Sequence, residues 1–236
     1  MKKIFTLLTI SLLFIFGCRS KVKQQQDSVY SRHLQRHVPL EIITTPMPDN
    51  KQEMNLLLIN STRMLEGVRA KAIIDSLYRK KLIQPLVLVA FEGKIGDYGI
   101  EESETPGAKQ YKKFNDFVIN ELYPFIKKKV VIRKFNSVAI CGFYDSALNS
   151  FETAYKNDEK IQSVGLFNPS FYEDSLTIAQ ISSMRQRPKL NVWMTYFDPG
   201  PLSIQLSDVL KSKKSITVSE HIKGSFADFL VWAFPK

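Results

Sequence analysis

Leu86-Val87-Leu88-Val89-Ala90-Phe91 is an unbroken run of six apolar residues between polar and turn-forming segments. An apolar run this short, with no polar alternation, suits a strand covered on both faces, as central strands of parallel sheets are. Runs of the same kind recur at Asn55-Leu56-Leu57-Leu58-Ile59, Val138-Ala139-Ile140-Cys141, Val164-Gly165-Leu166-Phe167, Leu190-Asn191-Val192-Trp193-Met194 and Ile216-Thr217-Val218. Leu40-Glu41-Ile42-Ile43-Thr44 reads as a further strand ahead of a Pro46/Pro48 turn. Helical spacing lies between these runs: Val68, Ala72, Ile73 and Leu77 on one face, and Phe114, Phe117, Val118, Leu122, Phe125 and Ile126 on another. A helix from about Ser146 to Tyr155 follows Gly142, and Phe226, Phe229, Leu230, Trp232 and Ala233 mark a last one. Strands alternating with helices predict an α/β fold, a mostly parallel central sheet with helices on both faces. With 236 residues, 44% of them hydrophobic, and no internal repeat, residues 31–236 form a single domain.

The first segment reads as targeting sequence. Positive charge at Lys2 and Lys3 precedes Ile4 to Phe16, almost purely apolar and too short to span a bilayer as a helix. It ends in Ile15-Phe16-Gly17-Cys18, which resembles the lipobox of bacterial lipoproteins. The resemblance implies that residues 1–17 are a signal peptide and that Cys18 is acylated and becomes the mature N-terminus. An ordinary signal peptide, or a buried helix with an incidental cysteine, is the plainer reading. Residues 18–30, with Gln24-Gln25-Gln26, read as a polar tether between membrane and domain. Arg19 stands after Cys18 in place of aspartate, which by analogy with lipoprotein sorting favours the outer membrane of the cell envelope over the inner.

The formal charge is +10, and losing Lys2 and Lys3 leaves +8, so the excess belongs to the mature chain. Arg19, Lys21, Lys23, Arg32 and Arg36 put much of it near the tether, where it is attracted to anionic headgroups. No stacking-aromatic motif accompanies the basic runs, so no nucleic-acid partner is expected. The whole chain has two cysteines and three histidines, His33, His37 and His221, which leaves little for a metal centre. Neither metal nor cofactor is expected.

The sharpest strand-to-helix junction is Cys141-Gly142-Phe143-Tyr144-Asp145-Ser146-Ala147. Its shape resembles the Gly-x-Ser-x-Gly nucleophile elbow of α/β-hydrolases. Neighbouring segments narrow the likeness. Asn120-Glu121-Leu122-Tyr123-Pro124-Phe125-Ile126 resembles the helix that precedes the elbow in the esterase D and enterochelin-esterase-like group. Ile83-Gln84-Pro85-Leu86-Val87-Leu88-Val89 resembles a strand entry of that group, and Val164 to Tyr172 the strand after its elbow. Ala227 to Phe234 resembles its closing helix, so the likeness covers nearly all of residues 35–236. It implies an α/β-hydrolase fold.

The positions that carry ester hydrolysis in that group depart from its pattern. Tyr144 stands at the nucleophile position and Ser146 at the following small position. A phenol with a pKa near 10 on a rigid ring is a poor acyl acceptor. Thr62, in Asn60-Ser61-Thr62-Arg63, occupies a glycine position of the oxyanion loop. Asp198 matches the acidic member of the triad, but Lys223-Gly224 runs into Ser225 where the group has a histidine loop. His221 is the only histidine after the elbow and lies in a strand pattern. The resemblance with these departures implies a pseudo-esterase: an anchored protein that binds an unknown protein or small molecule through Asn60, Ser61, Tyr144 and Asp145. An active carboxylic-ester hydrolase with a rebuilt nucleophile, Ser146 or Ser61, is the alternative. A third reading is a structural lipoprotein whose pocket is filled by Tyr144.

Overall fold

A computed structural model describes residues 22–49, 54–93, 110–170, 178, 181–183 and 188–236. Cys18, the signal segment and the first residues of the expected tether lie outside them. Eight strands form one sheet in the order β1-β2-β4-β3-β5-β6-β7-β8. They are β1 Lys23–Ser31, β2 Arg36–Thr44, β3 Asn55–Asn60, β4 Leu86–Phe91, β5 Val138–Phe143, β6 Ser163–Phe167, β7 Leu190–Tyr196 and β8 Ile216–Ile222. β1 pairs antiparallel with β2 and β2 antiparallel with β4, while every other pairing is parallel.

Helices cover both faces, as the apolar runs require. One face carries α1 Arg63–Gly67, α2 Ala70–Arg79 and α7 Phe226–Ala233, whose Ile74 and Phe229 pack on Leu57, Ala139 and Cys141. The opposite face carries α3 Gln110–Asp116, a π-helical turn Phe117–Leu122, α4 Tyr123–Lys129, α5 Asp145–Lys156 and α6 Pro201–Ser212. There Phe117, Leu122, Phe151 and Leu206 pack on Leu56, Val89 and Ile140. Every residue of β3, β4 and β5 is buried, because these central strands lie between the two layers.

The expected tether is corrected over residues 23–30, which belong to β1. Gln24 to Gln26 are exposed and present no apolar face, so periodicity does not reveal the strand. Backbone pairing holds it, from Lys23 opposite Thr44 to Ser31 opposite Arg36. Side chains clasp it to the helix layer: Lys129 pairs with Asp27, and Glu121 in the π-helical turn accepts from the Ser31 hydroxyl and, at 2.9 Å, from the Arg32 amide.

The N-terminal ends of the parallel strands form one cross-linked edge. Asn136 donates through Nδ2 to Asn55 at 3.2 Å and to Gln84 at 3.1 Å, and Asn55 Nδ2 donates to Gln84 at 3.1 Å. These bonds join the loops entering β3, β4 and β5.

Candidate functional site

The opposite edge, at the C-terminal ends of the parallel strands, is where sites form in open α/β sheets. β5 ends at Phe143 and α5 begins at Asp145, so Tyr144 alone makes the turn. Its backbone stands at φ 53°, ψ −121°, a left-handed conformation that costs any non-glycine residue on the order of 1–3 kcal/mol. The Tyr144 amide donates to the Phe167 carbonyl at 2.9 Å, which ties the turn to the end of β6. A Cβ on Gly142 would stand 2.2 Å from the Ser146 carbonyl oxygen, so only glycine lets the helix start this close to its strand. This is the geometry of a nucleophile elbow with tyrosine at its apex.

The tyrosine ring projects outward and is 45% exposed. A pocket filled by this ring, one of the sequence expectations, does not match so exposed a side chain. Ser146, the fallback nucleophile, has its hydroxyl bonded both as donor and as acceptor. Its Oγ accepts from the Phe143 amide at 2.9 Å and donates to the Phe143 carbonyl at 2.8 Å. It lies in the first turn of α5, as expected, but its bonds reach back to the elbow backbone. Asp145 is exposed and accepts from the Ser170 hydroxyl.

Asn60 ends β3 beside the elbow, since Ile59 stands opposite Cys141. It is buried, and its Oδ1 accepts from the Gly93 amide at 3.4 Å. Ser61 and Thr62 follow, with Thr62 at the head of α1. The Thr62 hydroxyl donates to Glu92 Oε2 at 3.3 Å, and Arg63 Nε lies 3.4 Å from Glu92 Oε1. Glu92 thus holds the loop that a hydrolase uses for its oxyanion donors. Glu92 and Ser170 are site residues that sequence reading missed. The signal for Glu92 was its place as the first polar residue after the β4 run.

Asp198 lies exposed just after β7, on the same edge. Among the described residues it makes no side-chain hydrogen bond or ion pair, so no base is held against it. His221 lies in β8, opposite Thr195. Its ring stacks on Trp193 with centroids 3.5 Å apart and planes 12° from parallel. Its Nε2 is buried without a partner among the described residues. The structure therefore brings Asn60, Tyr144, Asp145 and Asp198 to one edge of the sheet and uses His221 as a packing residue. His33 lies 4.0 Å from Asp116 and His37 packs edge-on against Tyr30, both near the β1–β2 hairpin. Among the described residues no group of three or more His, Cys, Asp or Glu is arranged to hold a metal ion.

No protein-family model and no curated protein matches the chain. Solved structures do. A ferulic acid esterase of the fungus Anaeromyces mucronatus superposes with a TM-score of 0.67 at 16% identity, covering 93% of this chain and 92% of that one. An IroE-like serine hydrolase of Shewanella oneidensis gives 0.66 at 14%, covering 89% of this chain and 78% of that one. An enterochelin esterase of Shigella flexneri gives 0.65 at 13%, covering 89% of this chain and 55% of that one. At such identities the likeness concerns the fold.

Proposed function

Taking the esterase-like α/β-hydrolase fold as given, we propose that this chain is a pseudo-esterase: a lipid-anchored protein of the cell envelope that binds a ligand or partner at its elbow edge and does not hydrolyse esters. One observation carries the reading. Within the described turn, residues 142–147, the one hydroxyl besides the Tyr144 phenol belongs to Ser146, and its O–H and one acceptor lone pair are taken by Phe143. Hydrolysis by a serine needs a free Oγ and a base within hydrogen-bond reach. The His221 ring, stacked flat on Trp193, offers no such base. Asn60, Ser61, Tyr144 and Asp145 are then a binding surface with no hydroxyl paired to a base among the described residues. The lipobox-like Gly17-Cys18 supports anchoring by acylation of Cys18, and Arg19 favours the outer membrane.

Two measurements test this. Chain starting at Arg19 is assayed on short-chain p-nitrophenyl esters beside heat-killed protein, Tyr144→Ala and Ser146→Ala; wild type is expected to match the heat-killed blank. Turnover that either variant abolishes makes the chain an esterase with a rebuilt nucleophile. Mass spectrometry of membrane-extracted protein is expected to find an acylated Cys18, and Cys18→Ser to remain unprocessed.

A further inference from the structure

We infer that the edge of the sheet opposite the elbow is a membrane-docking face for anionic headgroups, holding the elbow away from the bilayer. The inference rests on the reading of Cys18 as the lipidated residue. Lys23 begins β1 only five positions after Cys18. Five residues span at most about 17 Å even when fully extended. Membrane and strand therefore stay close, and the side on which β1 begins faces the lipid.

The strand register identifies that side. Lys23 stands opposite Thr44, and Thr44 opposite Val87, the second residue of β4. The Thr45 amide bonds the Leu86 carbonyl at 3.0 Å. Val22 is buried in the same apolar cluster as Ile83 and Leu86. The chain thus enters the fold beside the N-terminal ends of the parallel strands. The elbow closes the other end of β5, six residues along, or on the order of 17 Å further from the lipid.

Two loops on the membrane side carry a matching surface. After α2 the chain turns at Lys81, φ 57°, and after α4 at Val131, φ 55°. Each turn presents an apolar side chain to solvent: Leu82 is 45% exposed and Val131 70%. Lys80 and Lys81 flank the first, and Arg133 and Lys134 follow the second, all exposed. The Gln84–Asn55–Asn136 bonds hold both loops on one edge. A β-branched residue in the left-handed region is uncommon anywhere, and here its side chain contributes little burial. Apolar tips ringed by basic side chains suit a surface that meets acyl chains and anionic headgroups together. Around the elbow, Glu92, Asp145 and Asp198 offset Arg63 and Lys223.

The test uses lipidated protein on vesicles of phosphatidylglycerol and phosphatidylethanolamine. A fluorophore is attached to a single introduced cysteine, Leu82→Cys, Val131→Cys or Phe197→Cys. Buried Cys141 does not compete for the label. Phe197 is exposed at the elbow edge and serves as the distant site. Nitroxide-labelled lipid is expected to quench the labels at 82 and 131 and leave the label at 197 near its lipid-free intensity. Equal quenching at 197 overturns the inference.

A second arm uses chain starting at Arg19, which contains every described element and no lipid. It is expected to sediment with phosphatidylglycerol vesicles and not with phosphatidylcholine ones. Lys80→Gln with Lys134→Gln is expected to weaken that binding about 25-fold, at about fivefold per basic residue. Absence of binding to anionic vesicles overturns the docking face. If mass spectrometry finds Cys18 free of lipid, the anchor reading fails, and this second arm alone decides the face.

Discussion

Ser146 and Phe143 are bonded twice across the elbow, hydroxyl to amide at 2.9 Å and hydroxyl to carbonyl at 2.8 Å. Phe143 is the last residue of its strand and Ser146 lies in the first turn of the helix, so the two bonds tie strand end to helix start. Replacing Ser146 by alanine removes both bonds and is expected to lower unfolding free energy by about 1–2 kcal/mol. Urea denaturation measures it. Gly142→Ala is expected to cost more than about 3 kcal/mol, since the clash at 2.2 Å is with backbone that cannot move aside.

Tyr144 is held in a left-handed conformation while its ring remains 45% exposed. Tyr144→Gly relieves the backbone and loses little burial. Its own flexibility in the unfolded chain offsets part of the gain, leaving about 1 kcal/mol of net stabilisation. A raised denaturation midpoint with unchanged slope is the expected result. Tyr144→Ser is expected to leave ester hydrolysis at the blank, because among the described residues no base stands near the elbow.

Two carboxyls illustrate the acid stability. Burial raises the Glu220 pKa, but hydrogen bonds from Lys211 and Tyr196 outweigh it and hold the group below its ordinary 4.5. Asp228 is held below 3.8 by its bonds to Ser225 in the cap of α7. A depressed carboxyl stabilises the fold above its unfolded pKa, and that contribution is lost as pH falls through the folded value. Stability is expected to fall as pH drops from about 5, and Asp228→Asn to flatten part of the fall.

At the alkaline end the sign reverses. Burial, then the charge and hydrogen bond of Glu220, push the Tyr196 phenol well above 10.0, and burial pushes the Cys141 thiol well above 9.0. Groups with raised pKa values stabilise the fold below their unfolded values and lose that contribution as pH rises beyond them. Melting temperature is expected to decline from about pH 9 upward, starting with Cys141. Cys141→Ala is expected to move the onset higher.

Val131 combines a left-handed backbone with a 70% exposed side chain. Asparagine accepts that conformation more readily. Val131→Asn is expected to stabilise the domain by about 0.5–1 kcal/mol while weakening its binding to anionic vesicles. A loop with only a structural role would show the first effect without the second. Thermal melts and vesicle sedimentation on the same variant separate the two.

The central strands were legible because residues buried on both faces leave an unbroken apolar signature, as at Leu86–Phe91. β1 was not, because an edge strand can satisfy its backbone on one side and leave its side chains polar; Gln24, Gln25 and Gln26 read as linker. Helix α6 escaped notice although Pro201 opens it and Leu202, Leu206 and Leu210 follow at a spacing of four. At the elbow, the sequence located Tyr144 and placed Ser146 in the first helical turn. That the serine hydroxyl turns back to Phe143, and that Glu92 holds Thr62, depends on loops meeting across the sheet edge. Such meetings leave no periodic trace.

The clasped first strand also decides how the domain carries mechanical load. On the anchored reading proposed above, tension on the N-terminus would pull β1 along its own axis, at right angles to the bonds joining it to β2. The ladder from Lys23 to Ser31 is sheared, so its bonds share the force and do not unzip in turn. Lys129 on Asp27 and Glu121 on the hairpin add grips further along the strand. An element that reads as slack leash is in the fold a paired strand, and under the proposed anchor it would be the root that takes the strain.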